Sequence, residues 1–444
     1  MKTTYIAAAL LTMLSMQATA QKAYTLDECI ATALENNAQI RQADGKVSAA
    51  EAKRQETMTN FFPQVSAQGG AFIAKNGLIK YDATDAVSQV VPMLTPEQQM
   101  AVAGMDPTIE LCDKGVAASV MAVQPLFMGG RIVNGNKLAK VGEAASREQR
   151  RMTESEVRTE VEGYYWQIVA VREKLVTLSA IEEQLNQVSH DAEVAVEAGV
   201  RNRNDLLQVR LKQNDVRVAR LQAEGSLSVL RTMLAAAMGI DADSADVACD
   251  MSYSLPESPA NLYVDPDAAL EQTPEYGLLT AQEEATEIES KMTTGERLPQ
   301  VAVGGAYSYN NILDGSSNNL MGFVTVKVPL SDWWGGSRAM KSKRIEATNA
   351  KIERQDKSRQ LKARMAQAWT AVTTAYGRLA IAIESIEQSE ENLRLNNDYY
   401  RAGTGTMSEL LDAQTLYQQS RDGYAEALQG YEVAKREYLG ATGR

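Results

Sequence analysis

Between Arg131 and Gly199, apolar or small side chains return every three or four residues, at Val161, Tyr164, Ile168, Val171, Leu175, Leu178, Ile181, Leu185, Val188, Ala192 and Ala195. A second run, from Arg338 to Gly403, repeats the rhythm at Leu361, Met365, Ala368, Val372, Ala375, Leu379, Ile383 and Ile386. Such steps leave one narrow apolar seam. The other positions carry Glu, Gln, Lys, Arg and Asn, so each run predicts a long coiled-coil helix, over 131–199 and 338–403. At ~1.5 Å of rise per residue each extends about 100 Å, too long for the core of one compact domain. Shorter helices follow the two glycines, over 204–238 and 407–442.

Ahead of each long run the period changes from three and four to two. Val301, Val303, Gly305, Tyr307 and Tyr309 alternate with Ala302, Gly304, Ala306, Ser308 and Asn310. Leu320, Gly322, Val324, Val326 and Val328 alternate with Met321, Phe323, Thr325 and Lys327. These are strands of about 299–310 and 320–330, with weaker equivalents at about 62–74 and 115–127. Ten alternating residues suit a tilted strand in a lipid bilayer, and equally a half-exposed hairpin in water. A helix over Leu26–Phe61, capped by Thr25 or Asp27, precedes the first pair.

The chain states this plan twice. Phe62-Pro63-Gln64-Val65 is echoed by Leu298-Pro299-Gln300-Val301, an offset of 236 residues from Pro63 to Pro299. Pro125-Leu126 with Gly129-Gly130 returns as Pro329-Leu330 with Gly335-Gly336, and Gly199 with Asp205-Leu206-Leu207 returns as Gly403 with Glu409-Leu410-Leu411. From Gly199 to Gly403 the offset is 204 residues, so an insertion of about thirty residues sits in the first copy, between Phe72 and Gly115. The organisation is a first repeat over 21–240 carrying an insertion over 75–114, a linker over 241–266 rich in Asp, Ser and Pro, and a second repeat over 267–444. The insertion reads as an irregular, partly helical loop.

Residues 1–20 fall outside this plan. Lys2, a short apolar stretch from Ile6 to Met16 and the small residues Ala18 and Ala20 form an export signal with a cleavage site, too short for a membrane span. Export permits disulfides, but Cys29, Cys112 and Cys249 are odd in number and widely spaced. They read as inert thiols, with a single Cys29–Cys249 bridge left open. In 444 residues of formal net charge −12 there is no broad basic field for nucleic acid. Mean hydropathy of −0.30 argues against a bundle of apolar spanning helices. The sole histidine, His190, lies within the first heptad run, and no nucleophile elbow, phosphate-cradling loop or cysteine pair occurs. The chain is therefore read as no enzyme, without cofactor, catalytic residue or metal site.

An export signal, a duplicated unit, two strands before each rod and a glycine turn after it together resemble the TolC-type outer-membrane efflux channel family. The likeness covers the mature chain. Its most specific residues are Pro125-Leu126-Phe127 with Gly129-Gly130, Pro329-Leu330 with Gly335-Gly336, and Ala402-Gly403-Thr404-Gly405-Thr406 followed by Glu409-Leu410-Leu411-Asp412-Ala413-Gln414. The resemblance implies a mainly α fold with a small β part. Antiparallel coiled-coil helices form a periplasmic α-barrel, and four strands per chain enter a twelve-stranded transmembrane β-barrel closed by a homotrimer. It implies an exit duct in the outer membrane of a Gram-negative bacterium, with a large periplasmic part. That duct serves a tripartite efflux or type I secretion system, passively conducting cargo from an inner-membrane transporter through a periplasmic adaptor protein. Independently, four strands cannot close a barrel alone, and open sheet edges are not tolerated in lipid. The alternative is an exported coiled-coil scaffold or adhesin whose hairpins never enter a membrane.

The resemblance also implies roles for particular residues. Gly199, Val200 and Arg201, with Gly403, Thr404, Gly405 and Thr406, form the tip turns that dock the adaptor. Glu409 and Asp412, three apart on one helix face, with Asp205 as the counterpart of Glu409, form an acidic constriction. Acids at a helix start also suit its dipole without any pore. The family's gating arginine corresponds to Gly405 here, which puts that bond in doubt; Arg201, Arg203 or Arg401 are the basic residues that could substitute, and Tyr399 and Tyr400, just before the turn, either pack in the core, the favoured reading, or support closure. Trp333, Trp334, Tyr307 and Tyr309 are expected at the membrane–water boundary, with ordinary packing against the neighbouring rod as the alternative for the two tryptophans.

Overall fold

The computed structural model describes residues 23–75, 79–103, 108–111, 114–241, 246–248, 253–311, 315–330 and 332–444. The chain divides into two units. One is built from the chain up to Ala50, Gly142–Glu283 and Ala350–Arg444; the other from Glu51–Val141 and Glu284–Asn349.

The main elements are helices α1 (Leu26–Asn36) and α2 (Ala38–Met58), strands β1 (Gln64–Ile73) and β2 (Lys114–Phe127), and helices α3 (Arg131–Glu197) and α4 (Arg203–Met238). There follow α5 (Pro274–Gly295), strands β3 (Gln300–Asn311) and β4 (Ser317–Lys327), and helices α6 (Asp332–Arg401) and α7 (Met407–Ala441). Among the described residues no helix is long and apolar enough to cross a membrane.

In the unit that holds the sheet, β1-β2-β3-β4 form an all-antiparallel ladder. Paired residues share a face, and the register brings Val303 beside Val324, Tyr307 beside Leu320, Val120 beside Tyr307 and Ala67 beside Val120. One face is thus built from the apolar series of the sequence. The other carries Gln64, Ser66, Ser119, Ser308, Asn310 and Thr325. Leu320 is 82 % and Val324 68 % exposed, so the apolar face lies open in the single chain. The ladder shifts register between Pro125 and Phe127, because proline has no N–H to offer the neighbouring strand.

Several boundaries differ from the sequence expectation. β4 covers Ser317–Lys327 rather than 320–330: backbone pairing continues through Ser317, Asn318 and Asn319, where apolar alternation gives no signal, and the strand ends before Pro329. α6 starts at Asp332 rather than Arg338, so Gly335-Gly336 lie inside the helix, whereas Gly129 and Gly130 take positive φ of 65° and 80° in a true turn. The expected first helix breaks at Asn37, whose extended backbone separates α1 from α2 while its side-chain amide donates to the Ala237 carbonyl at 2.8 Å. The insertion is more regular than expected. Strands Ile79–Asp82 and Thr108–Leu111 pair antiparallel and flank helices Thr84–Val90 and Pro96–Val102.

In the helical unit the heptad seams become cores. Met365, Val372, Leu379, Ile386 and Tyr400 of α6 fall at seven-residue intervals, broken only at the half-buried Leu393, and all are buried. In α3 Val161, Ile168, Leu178, Ile181, Leu185 and Ala192 are buried. A seven-residue repeat drifts on an ideal helix and imposes a left-handed supercoil. The partner seam on α7 is aromatic: Tyr424, Tyr431 and Tyr438 are buried at sevenfold spacing, with Trp369 and Tyr376 of α6 against them.

The duplication extends to close contacts. Gly239, at the end of α4, has φ 68°, and a Cβ there would lie 2.7 Å from the Asn36 carbonyl oxygen. Gly443, after α7, has φ 77°, and its Cβ would lie 2.6 Å from the Gln272 oxygen. These pairs are related by the same offsets of 204 and 236 residues read from the sequence.

The described part of the linker is bonded to helices of both repeats. Asp246-Val247 pairs in parallel with Ala23-Tyr24, and Arg231 reaches Asp246 at 3.0 Å. The Tyr165 hydroxyl donates to the Ala248 carbonyl at 2.7 Å, and the Tyr376 hydroxyl donates to the Pro256 carbonyl at 3.1 Å.

Candidate docking and constriction site at the helical turns

The two turns that end the long helices are copies of one geometry. At the first, the Gly199 amide donates to the Val196 carbonyl, and the Val200 and Arg201 amides both donate to the Ala195 carbonyl. At the second, Gly403 donates to Tyr400, and Thr404 and Gly405 both donate to Tyr399. These bonds occupy carbonyls that a helix end would otherwise leave unpaired, and they require a left-handed residue at the reversal. Gly199 has φ 73° and Gly403 φ 76°, and no neighbouring atom comes within 4 Å of a Cβ built at either. Backbone conformation alone therefore calls for glycine there.

Beyond the turns, Asn202 caps α4 through its side chain. Thr406 and Glu409 form a reciprocal capping box on α7. The Thr406 amide and hydroxyl each donate to Glu409 Oε2 at 2.8 Å, and the Glu409 amide donates to Thr406 Oγ1 at 3.3 Å. The hydrogen bonds from the Thr406 backbone and hydroxyl hold the Glu409 carboxyl below its ordinary range. Glu409 thus has a local structural job and remains exposed; Asp412, one turn on, is exposed and Asp205 half-buried.

The turns are also joined to each other. Arg201 Nη2 donates to the Tyr400 carbonyl at 3.1 Å, and its guanidinium carbon lies 4.6 Å from the centre of the Tyr400 ring. Tyr400 is 8 % exposed and packs in one cluster with Leu206, Val209, Met407 and Leu410. Burial pushes its phenol above the ordinary range, with Arg201 opposing. Tyr399, by contrast, is 53 % exposed, and Arg401 is exposed. A Cβ at Gly405 would lie 3.1 Å from Tyr399 Cβ, so a longer side chain there would press on the end of α6. Val200, at 75 % exposure, is the most prominent apolar side chain of the first turn.

Tyr307 and Tyr309 lie on the apolar sheet face and are exposed. Trp333 and Trp334 fall in the first turn of α6, and their side chains lie outside the described residues, as do Cys112 and Cys249 of the disulfide question. Cys29 is buried, and that burial pushes its thiol up to about 12.

Sequence reading missed one polar cluster. Arg421 of α7 meets Glu173 of α3 at 2.6 Å, the Tyr253 hydroxyl bonds to both, and the guanidinium sits 4.2 Å over the Tyr253 ring. Next to it Lys174 pairs with Asp422 at 3.4 Å, and burial raises the Asp422 carboxyl. The available signal was the Tyr417, Tyr424, Tyr431, Tyr438 heptad, which marks the α7 face turned inward and hence places Arg421 among buried neighbours.

Long helices sealed by heptad seams, a four-stranded sheet with an apolar face, and glycine turns at the helix ends are the parts that the resemblance to outer-membrane efflux channels implies. The chain belongs to the outer membrane efflux protein family, whose model matches residues 29–240 and 266–444. The fold is shared with solved channels. The outer-membrane channel OprN superposes with TM-score 0.77 at 16 % identity, covering 94 % of this chain and 89 % of that one. VceC from Vibrio cholerae gives 0.75 at 13 % identity, with coverage of 94 % and 96 %. The open state of MtrE from Neisseria gonorrhoeae gives 0.74 at 14 % identity, with coverage of 94 % and 88 %. At such identities the likeness is one of fold. No curated protein matches the chain by sequence. Family membership makes the protein an outer-membrane exit duct of tripartite efflux, with a helical periplasmic part, and sets aside the scaffold alternative.

Proposed function

We propose that the chain works as a homotrimer whose twelve strands close one barrel in outer-membrane lipid, passing cargo received from an inner-membrane transporter through a periplasmic adaptor. The observation that carries this reading is the sheet: among the described residues no further strand pairs with the outer side of β1 or β4, and one face carries the apolar series, with Val65, Leu320 and Val324 exposed. Neither feature is tolerable in lipid unless further strands complete the ring. On this reading the insertion over 75–114, which joins β1 to β2, is the extracellular side of the first repeat.

The tip turns Gly199-Val200-Arg201 and Gly403-Thr404-Gly405-Thr406 are the adaptor docking surface. Glu409, Asp412 and Asp205 ring the constriction, where threefold repetition multiplies their charge and favours cations over anions. Tyr399, Tyr400 and Arg401 support closure, with Arg201 taking up the linking role for which Gly405 has no side chain. Transport is passive, and the energy comes from the transporter. Sedimentation of the detergent-solubilised protein tests the assembly: a mass of three chains is expected, and a monomer at all concentrations would overturn it.

A further inference from the structure

Near the start of each long helix the two repeats carry the same pair of cations. Lys137 and Lys140 of α3 return as Lys341 and Arg344 of α6 under the 204-residue offset, and Arg338 precedes the second pair. All five are exposed and belong to the unit that holds the sheet. Gly135 of α3 faces Thr57 and Met292, whose side chains would lie 3.9 and 4.0 Å from an added Cβ, and Gly336 of α6 faces the Arg297 side chain. Helical spacing turns Lys137 and Lys140, and likewise Arg338 and Lys341, to the sides away from these contacts.

The charge of these five is not answered within the chain. Glu56 is taken up by Lys53 at 2.7 Å, Glu296 by Arg131 at 3.6 Å, and Glu289 and Glu346 by Lys343 at 3.2 and 2.7 Å. Further along α3, Arg147, Arg150, Arg151 and Arg158 each meet a carboxylate within 3.0 Å. Among the described residues no carboxylate pairs with Lys137, Lys140, Arg338, Lys341 or Arg344. A chain of net charge −12 thus keeps an unneutralised basic patch beside its sheet.

The patch follows directly on the apolar sheet face. That face ends at Phe127, Val301 and Val326, which are paired across the ladder, and α3 and α6 begin a few residues on, at Arg131 and Asp332. At ~1.5 Å of rise per residue Lys137 and Arg338 lie about 9 Å along their helices, and Lys140 and Lys341 about 14 Å. A headgroup layer is about 5–8 Å deep, and long basic side chains bend back towards it. We propose that these five side chains hold the negatively charged phospholipid headgroups of the leaflet that faces the helices. The inference rests on the barrel reading, which puts the apolar face in lipid, and adds a headgroup preference to it. Zwitterionic headgroups offer the same phosphate with an ammonium that offsets it, so net anionic lipid answers the patch best.

Vesicles of equal parts phosphatidylglycerol and phosphatidylethanolamine, holding the full chain, test this. Native mass spectrometry counts the lipids that leave with the protein on mild extraction. Phosphatidylglycerol should be enriched about fivefold. The enrichment should vanish when Lys137→Gln, Lys140→Gln, Arg338→Gln, Lys341→Gln and Arg344→Gln are combined. It should persist with Arg359→Gln and Arg378→Gln, which alter exposed cations further along α6. Salt at about 1 M, where the screening length falls to about 3 Å, should abolish the enrichment without any variant. No enrichment, enrichment unmoved by the five substitutions or by salt, or equal loss in the control variant overturns the proposal. So does a five-site variant that keeps its lipid but no longer binds cell-wall polymer or an acidic protein, because the patch then serves that partner. Insertion is scored separately, by resistance to extraction with urea. Protein that resists urea without enrichment keeps the barrel and sinks the headgroup contact, and protein that washes off yet enriches anionic lipid does the reverse.

Discussion

The guanidinium of Arg201 both bonds to the Tyr400 carbonyl, at 3.1 Å, and stacks over the Tyr400 ring, at 4.6 Å, so one side chain ties the turn of the first repeat to that of the second. A cation–π contact of this kind contributes about 1 kcal/mol. Arg201→Ala should therefore speed amide hydrogen exchange at Thr404 and Gly405 by about fivefold, whereas Arg401→Ala, an exposed neighbour, should leave it unchanged. Equal exchange in both variants would remove Arg201 from the tip.

The glycines separate conformation from contact. Gly199→Ala and Gly403→Ala meet no neighbour and should each cost about 1–2 kcal/mol, the penalty of left-handed backbone alone. Gly239→Ala and Gly443→Ala add a collision with a backbone carbonyl and should cost more. Thermal unfolding of the four variants in detergent checks the order, and equal losses would contradict it.

The cap on α7 has a pH dependence of known sign. The Glu409 carboxyl is held low by the Thr406 hydrogen bonds, so the stability it adds is complete above the ordinary carboxylate range and is lost as pH falls through its lowered folded value. Thr406→Ala should remove about 1 kcal/mol of helix-end stability at neutral pH. It should also return the Glu409 titration, followed by NMR of that side chain, towards the ordinary value. An unmoved titration would mean the bond does not persist in solution.

The acidic ring is tested by block. Glu409→Ala with Asp412→Ala should raise the concentration of divalent cation needed to block current by on the order of tenfold, since the acids would supply the oxygens such ions prefer. Asp205→Ala should act more weakly, because its repeat has Gln208 where the other has Asp412. Unchanged block would place the constriction elsewhere.

Arg421 and Glu173 are 18 % and 9 % exposed. Arg421→Ala should cost about 3 kcal/mol by leaving the glutamate buried without its partner. A loss below about 1 kcal/mol, measured by chemical unfolding, would show water reaching the pair.

Long-range periodicity made the rods, the four strands and the duplication legible. Within each strand a period of two separated Val301, Val303 and Tyr307, or Leu320, Val324 and Val326, from their neighbours, but which series share a face is set by the register that pairs Val303 with Val324 and Tyr307 with Leu320. Boundaries were less legible, since pairing at Ser317–Asn319 depends on backbone groups that carry no side-chain signal. The break at Asn37 was hidden for a different reason: its side chain bonds to Ala237, two hundred residues away in sequence. The turns could be located from Gly199 and Gly403, but the Arg201–Tyr400 link could not, because it depends on how two hairpins meet rather than on either sequence. Likewise Glu409 showed as an acid at a helix start, but that its carboxylate is already engaged by Thr406 depends on the turn's backbone geometry.

Planar bilayer recording on the purified protein decides whether this chain forms a passive conduit. A cation-favouring current is expected, needing no nucleotide or ion gradient beyond the applied voltage and reduced by divalent cations. Bilayers that stay silent although the protein has inserted would contradict it.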